Sequence, residues 1–352
     1  MLNSSKFIAL CLASLLPLAC NESDSREVVE GVTALISSET GSSETVSTNL
    51  SDAINLLSDS NISSSSTSLA LQGSPLDVER EKKCEADGDN AVVTISSSAS
   101  GVSEYSTIRA DISKEITGSS SVERVWSKES AAVECDDNNK RAAINWNADD
   151  ISGLSLSVNV SRTKSSDTTR TKKSDESTME LSKSSSSKGT RTVEWASHTE
   201  NGDDTFTRVK TVVSSMEHTK SISKDGEDLE MSFTVATEEN APLEISVTRN
   251  ASTKDLVSQL ISSGTLRSTE SSGAYVLTSF SNYSLEFTDD ECTPVSGSLT
   301  SVFYEEGSED PIKTLELVVA DGEYTLTDTT DSSNPEVVED FDYDLCDVQD
   351  FM

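Results

Sequence analysis

The chain has 352 residues with 27 lysines and arginines against 62 aspartates and glutamates, a net charge of −35. Such a charge keeps a protein soluble and repels phosphate backbones, which argues against nucleic-acid binding. Hydrophobic residues make up 34% of the chain, while Ser and Thr together reach roughly 30%, far above ordinary globular usage, so a thick core along the whole length is excluded.

Met1–Lys6 is a short head with one cation, and Phe7–Ala19 is an almost wholly apolar run with no acid before Glu22. A run this short cannot span a bilayer, which needs roughly 20 residues. A basic head, an apolar stretch and a small residue before the cut describe a secretory signal peptide. Leu16-Pro17-Leu18-Ala19-Cys20 resembles the lipobox of bacterial lipoproteins. That resemblance implies cleavage after Ala19, lipidation of Cys20 and a mature chain starting there. Acyl chains contribute about 0.8 kcal/mol per buried CH2, so several make a stable anchor. In those lipoproteins Asp after the cysteine favours inner-membrane retention. Asn21 in that place therefore implies the outer membrane, facing the periplasm or the cell surface. The alternative is an ordinary signal peptide, but cleavage before Cys20 would set Pro17 third upstream, where a small residue is wanted.

Residues 20–78 form a Ser-rich tether, with runs such as SDSNISSSSTS that cannot bury enough apolar surface to offset ordering entropy. Val28, Val29, Val32 and Ile36, then Ser51 to Leu57, are short helical candidates within it.

Residues 79–352 are expected to form a disulfide-containing β domain. Four cysteines lie here, Cys84, Cys135, Cys292 and Cys346. An even count in an exported chain suggests two disulfides. Nearest-neighbour pairing, Cys84–Cys135 and Cys292–Cys346, closes two loops of about fifty residues, each stabilising by about 4 kcal/mol in the chain-entropy model. No pair has CxxC spacing and only two histidines occur, so no metal centre is expected.

Leu154, Leu156, Val158 and Val160 alternate with polar residues, the period of two of a strand with one wet face. Leu229 to Val235, Leu243 to Val247, Leu315 to Val319 and Tyr324–Leu326 repeat it, while Asn201-Gly202, Asp225-Gly226 and Asp321-Gly322 supply hairpin turns. Short turns between alternating runs predict a mainly β fold, a long antiparallel meander forming a curved sheet or open barrel. Ser252-Thr-Lys-Asp255 reads as a capping box, with Leu256, Val257, Leu260 and Ile261 as one apolar stripe and Gly264 as C-cap. This predicts one amphipathic helix packed on the sheet.

Between residues 162 and 191 the charge inverts. Arg162, Lys164, Arg170, Lys172, Lys173, Lys183, Lys188 and Arg191 stand against Asp167, Asp175, Glu176 and Glu180. Two readings follow: a contact patch for an acidic glycan or lipid headgroup, or a solvated hairpin whose charges pair across strands.

No P-loop, GxGxxG, HExxH or GxSxG motif occurs. His198 and His218 lie in polar strand-like runs, and Trp126, Trp146 and Trp195 in alternating runs that suit core positions. Asp87-Gly88-Asp89 and Glu339 to Asp347 lack EF-hand spacing and read as solvated carboxylates. No catalytic residue, cofactor or metal is expected. The reading is a lipid-anchored envelope protein with a non-catalytic binding or structural β domain, whose partner is an envelope or surface protein, a glycan or a lipid. The alternative is a half-barrel carrier of an apolar ligand, an architectural analogy only, and a glycan hydrolase comes last.

Overall fold

The computed structural model describes residues 77–338 apart from 107, 147–150, 175, 225–226, 289–290 and 321–322. The signal peptide, Cys20, the tether and its helical candidates, Cys346 and the acidic stretch from Glu339 lie outside the described residues.

Alternation of polar and apolar residues makes strands of nearly everything described. They are β1 (Asp77–Asp87), β2 (Asn90–Ser106), β3 (Ala110–Lys128), β4 (Leu154–Lys172), β5 (Thr178–Glu200), β6 (Thr205–Lys224) and β7 (Glu227–Thr237). Then follow β8 (Leu243–Asn250), β9 (Leu256–Glu270), β10 (Tyr275–Thr288), β11 (Glu291–Tyr304), β12 (Pro311–Ala320), β13 (Glu323–Asp328) and β14 (Glu336–Val337). All belong to one antiparallel sheet in chain order, with β7 and β8 both lying between β6 and β9.

β7 and β8 are one interrupted strand. β6 pairs Ser215 with Ala236 but Val212 with Leu243, so the short connection between β7 and β8 is an insertion held out of the ladder. Its backbone stays satisfied because Glu238 N–H donates to Thr265 O and Thr265 N–H donates to Ala241 O, both at 2.9 Å. The meander is therefore uninterrupted, as the alternating runs and turns predicted. The positive φ in the Asn201-Gly202 turn falls on Asp204 (φ 59).

The amphipathic helix expected at 252–264 is not formed; Leu256 to Glu270 is strand β9. Asn250 Oδ1 accepts the N–H groups of Ser252 and Thr253 at 2.9 and 3.0 Å, making an Asx turn of the expected capping box. Ladders to β8 and β10 then satisfy both edges of β9. Two hydrogen-bonded neighbours outweigh the weak preference of a short isolated helix. Gly264 is no C-cap: it sits mid-strand at φ 130, where a Cβ would press on Leu243 Cα at 2.7 Å.

The core lies on one face of the sheet. One cross-strand row carries Trp126, Leu156, Val193, Val212 and Leu243, and its continuation carries Phe280, Leu299, Leu317 and Leu326. Leu243 and Leu317 are wholly buried. The connection from β3 to β4 lays Val133 and Ile151 on this face, both buried. Trp146 from the same connection packs its ring 6.0 Å from Trp126 and 5.7 Å from Trp195. The expected Cys84–Cys135 disulfide ties this connection to β1.

Apolar packing ends partway along the long strands. In β4 nothing beyond Val158 is buried, and in β5 nothing before Arg191. The far halves of β3–β6 carry mostly hydroxyls and charges, with Ile112, Ile116, Leu181 and Ile222 among them, and it is here that the charge-inverted segment lies.

A candidate anion-binding face

Register decides which charges share a face. Val160 pairs with Val122 and Gly189, and Gly189 with Met216. Alternate residues outward from this row stay on the core-bearing face. They include Lys114 of β3, Arg162, Lys164, Arg170 and Lys172 of β4, Lys183 of β5 and Lys220 of β6. The intervening positions, among them Glu115, Glu123, Asp167, Glu180 and Glu217, lie on the opposite face. Bases and acids that look mixed in sequence are sorted by sign in space.

Small residues make room for the cations. Arg162 pairs with Ser120 and Ser187, and Lys164 with Gly118 and Ser185. Ser185 also pairs with Lys220, so Lys164 and Lys220 flank one serine with backbones about 10 Å apart, two inter-strand spacings. Small neighbours leave space for long aliphatic stems to lie over them, and in Arg162 the guanidinium Nε is itself buried. Accordingly Arg162, Lys164 and Lys220 are half-buried, whereas Lys183 is exposed.

The charges strain against one another. Burial pushes the Lys114 ammonium pKa down, and Lys164 and Lys183 push it further. Burial lowers Lys164 and Arg162, and burial followed by Lys183 lowers Lys220. Among the described residues none of Lys114, Lys164, Lys183 and Lys220 makes an ion pair. A cluster of positive charge with no carboxylate between its members can hold an anion.

The structure divides the eight residues marked in the sequence. Arg162, Lys164, Arg170, Lys172 and Lys183 share the core-bearing face. Arg191 shares it too, but is only 5% exposed, within the core. Lys188 lies on the opposite face, 3.0 Å from Glu217. Lys173 follows the end of β4, 3.2 Å from Asp111 and donating to Ser106 Oγ at 2.6 Å. These last two pair across strands, as the solvated-hairpin reading requires. Lys114 and Lys220 were missed because they lie in other strands; the alternations Ile112-Lys114-Ile116 and His218-Lys220-Ile222 were their signal.

His218 borders the cluster. Ser187 Oγ and His218 Nδ1 are 2.8 Å apart, and the ring stacks on Phe233 at 4.8 Å. Burial first, then Arg162, push its pKa down. His198 lies at the other end of the sheet, where Arg208 Nε donates to its Nδ1 at 3.2 Å and the Arg208 guanidinium covers Trp146 at 4.2 Å. Burial and Arg208 lower its pKa, which suits a neutral ring accepting from a cation.

The opposite face is a field of hydroxyls. Thr117 pairs with Ser165 at 2.6 Å, Ser119 with Thr163 at 2.8 Å and Ser184 with Ser221 at 2.7 Å. A shallow depression of about 320 Å³ here is lined by Thr117, Ser119, Thr163, Ser165, Ser184 and Ser186 among others. Among the described residues no three His, Cys, Asp or Glu side chains gather as a metal-holding group. Comparison with protein-family models, curated proteins and solved structures finds no match to this chain.

Proposed function

We propose that the chain is an exported, lipid-anchored envelope protein whose β domain is a non-catalytic binding module for an anionic glycan. The observation that carries this reading is the group Lys114, Lys164, Lys183 and Lys220, gathered on one face without a carboxylate among them. A linear polyanion laid over them would neutralise several charges at once. The serines between them, Ser166, Ser185 and Ser187, offer hydroxyls to sugar oxygens. A lipid surface is a poorer fit, because the apolar neighbours on this face, Ile112, Ile116 and Ile222, are buried or half-buried rather than exposed to enter a bilayer. The N-terminal lipobox resemblance supplies the anchor.

Side chains as buried as Leu317, Leu285 and Ile245 require cover over the apolar part of the core-bearing face. The β3–β4 connection covers only part of it, so we take the sheet to curl on itself as an open half-barrel. That interior is filled by Leu, Ile, Val, Phe and Trp side chains, which favours the binding module over the carrier.

The test is retention on an immobilised sulfated polysaccharide against a neutral one. Wild-type protein should elute at higher salt from the sulfated matrix, and the variant Lys164→Ala/Lys183→Ala/Lys220→Ala should bind at least about tenfold more weakly. Retention unaffected by the triple substitution would overturn the reading.

A further inference from the structure

The two faces of the far half of the sheet are opposite in sign and each is internally repelled. On the outer face Glu115 and Asp167 are directly opposed across β3 and β4, and neither makes an ion pair among the described residues. Like charges directly opposite destabilise a strand pair. On the other face burial, then Lys164 and Lys183, push the Lys114 pKa down. The levels coincide along the strands: Lys114 adjoins Glu115 in sequence, and Lys183 pairs with Ser166, which adjoins Asp167. Among the large apolar side chains of this region Ile116 is buried, but Lys183 on one face and Glu115 and Asp167 on the other are exposed, so both faces can be reached by a partner.

We propose that the carboxylate face of one molecule docks on the lysine face of a second copy of this chain. A copy displaced along the sheet normal by about 10 Å, the usual spacing of stacked sheets, and held in register sets the level of Glu115 and Asp167 of one molecule between the levels of Lys114 and Lys183 of the next, one residue along the strands from each. Each contact relieves repulsion on both partners. Because the two surfaces differ, the contact is head-to-tail and leaves a free face at each end, so association is open-ended rather than a closed dimer. The lysine face is the one proposed for glycan, but the contact does not depend on glycan binding, and the two fail separately. Glycan retention is read on dilute monomer, self-association without polysaccharide.

The experiment is sedimentation velocity of the full chain in mild detergent, at rising protein concentration, in about 0.05 M and about 0.5 M salt. Wild-type protein should form species larger than a dimer at low salt and dissociate at high salt. Two charge-reversed variants are then compared, Lys114→Glu/Lys164→Glu/Lys183→Glu and Glu115→Lys/Asp167→Lys. Each alone should stay monomeric, since its two faces carry the same sign, and an equimolar mixture should associate again. Monomeric wild type at low salt, salt-independent association, or a mixture that stays monomeric would each overturn the proposal. Far-ultraviolet circular dichroism of each variant shows that its sheet is intact, and the wild-type salt response decides the matter even if one variant fails to fold.

Discussion

His218 and Arg162 stand on either side of Ser187 in one cross-strand row, and burial, then the guanidinium, push the imidazole pKa down. Its folded pKa lies below the ordinary value, so between the two pKa values the unfolded chain binds more protons. Stability contributed here therefore falls as pH drops below about 6.5 and is lost once pH is below both values. His218→Phe keeps a ring against Phe233 and removes the titration. In urea unfolding from about pH 7.5 to about pH 5.5, the variant should lose less stability than wild type. Equal losses would show that His218 is not a source of acid sensitivity.

Lys114, Lys164 and Lys220 carry the same logic into the alkaline range. Their folded pKa values are lowered, chiefly by burial, so the charged form is penalised at neutral pH. As pH rises through the lowered values the folded state sheds protons first, and stability should climb until about 10.4, where the unfolded lysines also discharge. The Lys164→Gln/Lys220→Gln variant should be more stable than wild type at pH 7 while binding sulfated polysaccharide less well. Gain of stability with loss of binding marks residues kept for function. A variant that is both less stable and unchanged in binding would assign these lysines to packing alone.

The meander was legible because period-two alternation is a local signal, readable in Leu154 to Val160 or Leu315 to Val319 without knowledge of neighbours. Leu256 to Ile261 was misread because four apolar residues in six fit either period, and only flanking ladders from β8 and β10 decide between them. The basic face was half legible. A window along the chain finds Arg162 to Arg191, but not that Lys188 points away or that Lys114 and Lys220 join from β3 and β6. Sorting charges by face needs strand register, which no single segment contains.

The Cys84–Cys135 disulfide fastens the β3–β4 connection over the tryptophan cluster. Its two cysteines are 51 residues apart, and constraining such a loop in the unfolded chain stabilises by about 4 kcal/mol. Reduction, or the double substitution Cys84→Ser/Cys135→Ser, should lower Tm and shift tryptophan fluorescence to the red as Trp126 and Trp195 meet water. Non-reducing peptide mapping should recover the Cys84–Cys135 linkage. Recovery of either cysteine joined to Cys292 or Cys346 would overturn the assignment.

Lipidation at Cys20 makes the most direct cellular prediction. On the proposed reading the Cys20 thiol is the attachment point and Phe7–Ala19 is removed by the same processing. Cys20→Ser should move the protein from the membrane pellet to the soluble fraction after cell lysis in a bacterial host. Mass spectrometry of the wild-type N-terminal peptide should show the cysteine carrying acyl mass with Asn21 following. If Cys20→Ser leaves the protein in the pellet after a high-salt wash, which strips molecules held there only by charge, the lipid-anchor reading is wrong.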